Sequence, residues 1–369
     1  MNILDKKRLI KRFIKYVKVP SLSGNEQNFA KLIRRELKAL KIRSRQDEIG
    51  NIFAEIKGDD KKTAKILLNA HMDTVSPGEN IRPRIRYGII TSGGKTILGA
   101  DNKAGVAVII EVLQALKEID HGDIQIIFTV QEETGLVGAR AIRKSDIDAD
   151  IGYVLDGGDV DSLYIKAPTQ YKLHAEIIGK STHAGLHPEK GINAIRVASE
   201  AIARMKLGRI DHETTANIGT IKGGIATNII PERVEIKGEV RSHNIRKLKA
   251  QIKHMRKCLS RACSKNKASL KINVDCVYDA FSIDKDDRVI KIAAKALKDL
   301  GIKATLQRTG GGSDANVFND LGLKSLIIGV GADRVHTKNE RLSIDEFFTG
   351  AKFLLNIIKE AYARKNHKK

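Results

Sequence analysis

The sequence contains no tryptophan, and its aromatic residues amount to only 4%. Proteins that hold single-stranded nucleic acid stack the bases on aromatic side chains, so this shortage argues against that function. Cysteine is also scarce: Cys258, Cys263 and Cys276 are the three in the chain, and they show no CxxC spacing. This pattern supports neither a disulfide framework nor a thiolate zinc site, and it favours a reducing, cytoplasmic setting.

Long apolar runs are missing as well. No run approaches the ~20 residues that a transmembrane helix needs. From Ile3 to Val17, charges interrupt the apolar residues at helical spacing, which predicts an amphipathic helix and not a signal peptide. We therefore expect a cytoplasmic protein with no membrane partner.

Acidic residues are outnumbered by basic ones. The 66 Lys and Arg against 44 Asp and Glu give a formal net charge of +22. Such a charge permits attraction to nucleic acid or to anionic surfaces. Because the basic residues are spread along the whole chain and stacking side chains are few, nucleic acid is not the partner we expect.

At 369 residues, of which 41% are hydrophobic, the chain suits two globular domains. Outside its middle third, apolar runs alternate with helical patterns. Strands are predicted at 66–70, 124–130, 151–155 and 326–330, and helices at 26–40, 100–116, 289–300 and 346–363. This alternation predicts an α/β domain with a mostly parallel sheet flanked by helices.

The order of predicted strands and helices changes between residues 168 and 277. Strands are predicted there at 170–178, 215–221, 233–242 and 270–277, with helices at 192–205 and 245–262. The order βαββαβ is that of a ferredoxin-like unit. We therefore expect residues 168–277 to form a small inserted domain, and residues 1–167 plus 278–369 to form one discontinuous domain.

Side chains that can bind a metal follow the apolar segments. They are His71 with Asp73, Asp101, the pair Glu132 and Glu133, Asp156, and His336. Imidazole and carboxylate without cysteine form the ligand set expected for Zn²⁺, or for Mn²⁺ and Co²⁺ at similar geometry. Because an α/β sheet collects its ligands at the carboxyl ends of its strands, we expect two ions there that share one carboxylate.

Each of these residues also has an ordinary structural interpretation. Asp101 could cap a helix, Asp156 could begin a turn, and a lone histidine such as His71 is more often a hydrogen-bonded core residue. Consecutive residues that leave a strand point to opposite sides, so of Glu132 and Glu133 one can bind a metal while the other faces the reacting water.

The motifs occur together along the chain, and this combination is specific. They are His71-Met-Asp-Thr-Val75, Gly99-Ala-Asp-Asn-Lys-Ala-Gly105, Glu132-Glu-Thr-Gly-Leu-Val-Gly-Ala139, Asp156-Gly-Gly158, Gly179-Lys-Ser-Thr-His-Ala-Gly185 and Gly310-Gly-Gly-Ser-Asp-Ala315. From about residue 4 to residue 363 the chain resembles the dizinc exopeptidase family, which includes peptidase T, aminoacylase, the glutamate-releasing carboxypeptidases and succinyl-diaminopimelate desuccinylase.

The resemblance implies a role for each metal-competent residue. Asp101 would bridge the two ions, His71 and Asp156 would complete one of them, and Glu133 and His336 the other. Asp73 would hold His71 in position without binding a metal itself, and Glu132 would be the general base. The family also implies a cis peptide bond between Asp101 and Asn102.

The inserted domain resembles the family's lid and dimerisation domain, which implies a homodimer. His183 would help to stabilise the oxyanion, in related dimers from the other subunit. Asn228, Arg241 and the loop of Gly310, Gly311 and Gly312 correspond to the parts that hold the substrate's backbone and carboxylate.

The motif details lean toward the peptidase T-like branch. We therefore expect a dinuclear zinc aminopeptidase that hydrolyses di- and tripeptides. An N-acyl amino acid deacylase with the same site is the alternative, and a two-metal nuclease, which would draw on the basic charge, is a more distant one.

Overall fold

The computed structural model describes residues 3–59 and 63–363. The ends of the predicted discontinuous domain, residues 1–2 and 364–369, lie outside the described residues, as do residues 60–62. In the described chain the helices are α1 (Lys6–Val17), α2 (Gln27–Ala39), α3 (Ala100–Ala115), α4 (Val137–Arg140), α5 (Ala194–Ala203), α6 (Ile245–Lys265), α7 (Arg288–Lys298), α8 (Asp314–Asp320) and α9 (Ile344–Ala363). Not one of these helices is both long and apolar enough to cross a membrane.

The described strands alternate with these helices over much of the chain. They are β1 (Ser44–Gln46), β2 (Ile52–Ile56), β3 (Ile66–His71), β4 (Arg84–Arg86), β5 (Ile89–Thr91), β6 (Ile124–Thr129), β7 (Ile151–Gly157), β8 (Ser162–Ala167), β9 (Thr169–Ile178), β10 (Gly208–Arg209), β11 (Thr214–Gly223), β12 (Arg233–Ser242), β13 (Ser269–Tyr278), β14 (Phe281–Ser282), β15 (Thr305–Arg308), β16 (Ser325–Gly329), β17 (Ala332–Asp333) and β18 (Arg341–Ser343).

The chain divides into two compact units. The first is built from the described parts of Met1–Lys166, Phe281–Thr309 and Ser313–Lys369, and the second from Ala167–Ala280 together with Gly310–Gly312. The second unit thus contains the whole segment 168–277 in which the sequence pattern changes. It also takes in the glycine loop, which the pattern places in the other domain.

The first unit is organised around a mixed sheet with the order β1-β2-β6-β3-β7-β16-β8-β14, and β15 pairs with β8. Its central strands β6, β3, β7 and β16 run parallel to one another. Every residue of β3 and β6 is buried, as expected for parallel strands covered on both faces. The predicted α/β class with a mostly parallel sheet is confirmed, and the carboxyl ends of these four strands meet at one edge.

A small antiparallel sheet, in the order β17-β18-β5-β4, also belongs to the first unit. Its strands have only two or three residues each, so they lack the length from which an apolar pattern can be recognised. β17 and β18 flank the segment that carries His336 and hold both of its ends in place.

The second unit is an antiparallel sheet with the order β10-β11-β12-β9-β13, together with the helices α5 and α6. Apart from the two-residue β10, the sequence of elements is the βαββαβ that the pattern predicts. Its core is apolar and includes Leu248, Met255 and Leu259 of α6, which pack with Ile236 and Val240 of β12.

Candidate metal centre and active site

His71 is the last residue of β3, and its imidazole is buried among carboxylates. Its Nε2 lies 3.0 Å from Oδ1 of Asp101 and 3.4 Å from Oδ1 of Asp156. Burial opposes protonation of His71, but hydrogen bonds to Asp101, Asp156 and Asp73 outweigh it and raise the pKa of the ring well above its usual range. The carboxylates around Nε2 therefore favour positive charge at this position.

Asp73 supports this imidazole from the other side. One Asp73 oxygen lies 3.3 Å from Nδ1 of His71. The same carboxylate accepts hydrogen bonds from the backbone N–H groups of Glu132 at 2.9 Å and Glu133 at 3.2 Å, and from the Ser23 hydroxyl at 2.7 Å. Asp73 thus orients His71 and fixes the backbone of the two glutamates relative to it.

Asp101 lies between two histidines that are far apart in sequence. Its Oδ1 faces Nε2 of His71 at 3.0 Å, and its Oδ2 faces Nε2 of His336 at 3.1 Å. Burial opposes ionisation of Asp101, yet the hydrogen bonds to the two rings hold its pKa well below the usual range. One carboxylate that presents one oxygen to each of two imidazoles has the form of a bridging ligand.

Glu133 and His336 meet on the far side of Asp101. Oε1 of Glu133 lies 2.8 Å from Nε2 of His336. Hydrogen bonds to Asp101 and Glu133 raise the pKa of His336 to about 10. Donor atoms of His71, Asp101 and Glu133 all lie within 4.8 Å of one another. The structure therefore brings the five predicted donors together from five separate segments of the chain.

These donors fit divalent cations. Burial raises the pKa of Glu132, Glu133 and Asp156, because several carboxyl groups share a space with little water. The available donors are imidazole nitrogen and carboxylate oxygen, the set that Zn²⁺ and similar ions bind. A cation at this point would compensate the crowded negative charge.

The Asp101–Asn102 peptide bond is cis, as the family resemblance implies. The Asn102 side chain donates a hydrogen bond to Oδ1 of Asp156 at 3.2 Å. Asn102 thereby links the start of α3 to the end of β7. A cavity of about 200 Å³ opens beside Asp101 and Asp156.

The chain matches the model of peptidase family M20/M25/M40 over residues 67–360. The chain belongs to this family. The matched segment contains all five candidate metal donors, together with Glu132. The chain is therefore an M20 metallopeptidase, and the recognition from its motifs is confirmed.

Individual relatives point in the same direction. The tripeptidase SAV1512 of Staphylococcus aureus is 39% identical, with a TM-score of 0.90 over 98% of this chain and 100% of that chain. The aminopeptidase PepT of Bacillus cereus is 38% identical, with a TM-score of 0.85 over the same shares. The uncharacterised protein YqjE of Bacillus subtilis is 40% identical over 97% of this chain and 100% of its own length.

Two carboxylates of the peptidase's site were not singled out from the sequence. Glu340 is buried, and it accepts hydrogen bonds from the backbone N–H groups of Leu98 at 2.7 Å, Gly99 at 2.8 Å and Asp101 at 3.0 Å. The chain turns through a positive φ of 73° at Gly99. Glu340 follows His336 by four residues, and this proximity to a candidate ligand is the only signal of it in the sequence.

Asp314 is the second of these carboxylates. It begins α8, is buried, and accepts hydrogen bonds from the Thr129 hydroxyl and from the Asn69 side chain at 3.3 Å. Burial raises the pKa of Asp314 to about 6. Thr129 and Asn69 belong to the strands β6 and β3, so Asp314 joins the ends of the two strands that deliver Glu132 and His71.

The remaining predicted residues of this M20 peptidase lie in the second unit. Nδ1 of His183 accepts hydrogen bonds from the N–H groups of Gly185 at 3.1 Å and Leu186 at 3.2 Å. The neutral ring therefore carries its proton on Nε2, which can donate. The Asn228 carbonyl accepts a hydrogen bond from the N–H of Ala184 at 2.9 Å, so His183 and Asn228 are held in neighbouring segments.

Arg241 and the glycine loop have structural partners of their own. The guanidinium of Arg241 donates to both oxygens of Glu239, at 2.9 and 3.2 Å. At Gly312 a Cβ atom would lie 2.1 Å from the Tyr278 ring, whereas Gly310 has open space around it. Close approach to Tyr278 therefore requires glycine at position 312, independently of any substrate.

Proposed function

We propose that this M20 peptidase is a cytoplasmic exopeptidase that uses two divalent ions, Zn²⁺ foremost, to remove the first residue of short peptides. The observation that carries the proposal is the Asp101 carboxylate, which presents one oxygen to His71 and the other to His336. The similarity to a tripeptidase and an aminopeptidase at 38–39% identity supports free tripeptides as the substrate class. The three free cysteines suit a reducing compartment.

We assign the ligands by the pairs that the geometry forms. His71 and Asp156 would hold one ion, Glu133 and His336 the other, and Asp101 would be shared. Ions in such a donor set polarise a carbonyl group and lower the pKa of a bound water.

Glu132 is assigned the proton transfer. Its carboxylate accepts a proton from the attacking water as the water oxygen bonds to the scissile carbonyl carbon. It then gives this proton to the nitrogen of the departing amine as the C–N bond breaks. Burial raises the pKa of Glu132 well above the usual range. A raised pKa helps this carboxyl to keep the proton between the two steps.

His183 is assigned to the oxyanion. Its protonated Nε2 is a hydrogen-bond donor, and donors directed at the developing negative charge supply a large part of catalysis in acyl transfer. We further propose that Asn228, Arg241 and the loop Gly310–Gly312 bind the substrate's backbone and carboxylate. In this role Glu239 holds the Arg241 guanidinium in its orientation.

The second unit is also proposed to form the interface of a homodimer. Sedimentation of the full chain at several concentrations tests this directly. A monomer at all concentrations would remove the dimer from the proposal but leave the metal centre untouched.

Substrate class is tested with metal-stripped enzyme to which Zn²⁺, Co²⁺ or Mn²⁺ is restored. The panel contains di- and tripeptides and N-acetyl and N-succinyl amino acids. Metal-dependent release of the amino-terminal residue from tripeptides is the expected result. Cleavage of the acylated amino acids alone would assign the same site to a deacylase, and turnover of neither class would contradict the proposal.

A further inference from the structure

A surface pocket of about 630 Å³ lies beside α2 and the start of β1, and it shares no lining residue with the cavity at the metal centre. Six of its eight lining residues are cations: Lys31, Arg34, Arg35, Lys38, Lys41 and Arg43. All six side chains are exposed. We refer to it as the cationic pocket.

The pattern of α2 explains how these cations come to share one face. Phe29, Ile33 and Leu37 recur at intervals of four residues and are buried. The four cations of α2 lie on the opposite side, and they follow one another at intervals of three, one and three residues.

After α2 the chain reverses sharply and closes the pocket. The N–H of Ile42 donates to the carbonyl of Leu37 at 2.9 Å, and the N–H of Lys41 donates to that of Lys38 at 2.9 Å. Lys41 occupies the left-handed region, with φ at 64°. This turn brings Arg43 back beside the end of the helix, so that the charges line a concave surface.

The pocket lacks counter-charge because the acidic residue of α2 points elsewhere. Glu36 forms ion pairs with Arg12 at 3.0 Å and Lys15 at 2.8 Å of α1. Within residues 3–59 and 63–363, none of the six cations has a carboxylate oxygen within 4.0 Å. Like charges at such spacing repel one another, and a bound anion relieves that repulsion.

The helix dipole accounts for only part of this arrangement. Lys38 and Lys41 lie at the carboxyl end of α2, where cations are stabilising. Lys31 lies in the first half of the helix, so it gains nothing from the dipole at that end. An anion in the pocket would interact with the whole set.

The chemistry of the lining defines the anion. Arginine guanidinium groups bind phosphate oxygens in pairs, and lysines add point charges. The two neutral lining residues are Ile42 and Ser44, so there is no aromatic ring on which a base could stack. The volume is within the range of small-molecule sites. We propose that the cationic pocket binds an oligophosphate, a chain of two or more linked phosphate groups, without recognising an attached base.

The test is calorimetric titration of the full-length, metal-loaded protein with inorganic phosphate, pyrophosphate, triphosphate and ATP. Affinity should rise with the number of phosphates, weaken with added salt, and agree for triphosphate and ATP within about threefold. ATP that binds more than about tenfold tighter than triphosphate would overturn the proposal, because the pocket offers the base no partner.

A triple variant, R34A/R35A/K38A, locates the binding. Removing three cations of the pocket should weaken triphosphate binding by at least about tenfold while tripeptide hydrolysis stays unchanged. The matched control, K249A/K253A/R256A, removes three exposed cations of α6 and should bind as the parent protein does.

Equal binding by the parent and the pocket variant would place the anion elsewhere, for example on the metal ions, and would overturn the proposal. Equal losses in both triple variants would attribute binding to net charge and would also overturn it. A third contrary result is binding of a short DNA duplex without binding of triphosphate, which would indicate an open surface in place of a pocket. Peptide hydrolysis is measured separately, so failure of this proposal leaves the peptidase assignment standing.

Discussion

Glu340 accepts the backbone N–H of Asp101 at 3.0 Å, although 239 positions separate the two residues in the chain. Its other oxygen accepts the N–H groups of Leu98 and Gly99. A buried carboxylate that takes three N–H groups holds its segment in one conformation. Glu340 therefore holds in place the backbone that carries the proposed bridging carboxylate.

Replacement of Glu340 by glutamine should loosen this support. The amide offers one acceptor oxygen in place of two and buries an NH₂ group against N–H donors. We expect a loss of about 1–3 kcal/mol in the free energy of unfolding, together with weaker metal retention. Urea unfolding and metal content after dialysis measure the two effects. Glu79→Gln, an exposed change in a neighbouring loop, is the control, and equal behaviour of the two variants would contradict the positioning role.

Glu132→Gln should separate catalysis from metal binding. The amide cannot accept the proton of the attacking water, so kcat for a tripeptide should fall by about 10²–10⁴-fold while the metal content remains that of the parent. Steady-state kinetics and metal analysis on the same sample decide the matter. Near-normal hydrolysis would remove Glu132 from the role of base.

Asp73→Asn should weaken metal binding although Asp73 is not proposed as a ligand. An amide at this position weakens the orientation of His71 and of the Glu132 backbone. The expected loss of metal affinity is about 10–100-fold, the usual effect of a residue that supports a ligand. Competition with a chelator measures it, and an unchanged affinity would show that His71 keeps its orientation without this carboxylate.

Glu36 predicts a dependence of stability on pH. Burial alone would raise the pKa of this carboxyl, but hydrogen bonds from Lys15 and Tyr16 and the charge of Arg12 outweigh it, and the folded-state pKa lies below the usual value. Because the folded pKa is the lower one, the contribution of Glu36 is present above the unfolded pKa and is lost as the pH falls through the folded value.

The comparison of the parent protein with Glu36→Gln tests this sign. At pH 7 the free energy of unfolding of the variant should be lower by about 1–3 kcal/mol, because the charge-assisted hydrogen bonds are lost. The variant should therefore unfold at a lower urea concentration. Toward pH 3 the two unfolding free energies should converge. A difference that grows in acid would mean that the pKa is shifted in the opposite direction.

Lys41→Gly should stabilise the fold and weaken the cationic pocket. Lysine in the left-handed region costs about 1 kcal/mol relative to glycine, so the variant should be more stable by that amount. Its triphosphate affinity should fall, since one of the pocket's cations is removed. Thermal unfolding and calorimetry on one preparation report the two changes, and a variant that is no more stable would refute the strain argument.

Most of the α/β framework could be predicted from the sequence because its signals are local. The strands β3, β6 and β7 are mostly apolar. Each begins at the predicted residue, and its last residue lies within two positions of the predicted end. The sequence patterns predict no helix between residues 300 and 326, where the structure has the seven-residue α8. It has too few turns to display a helical period, and burial against the sheet stabilises it.

The candidate site, like the fold, has features that the sequence predicts and features that it does not. The sequence by itself determined the residue types at the ends of the apolar runs, and their motifs are specific enough to indicate the family. Tertiary structure alone decided which groups meet. Asp101 meets two histidines, and Glu340 meets the turn at Gly99. Glu36 pairs with cations of α1 and not with the cations of its own helix, α2. Residue type and short-range periodicity are encoded locally, whereas hydrogen bonds and ion pairs depend on the packing that brings distant segments within a few ångströms.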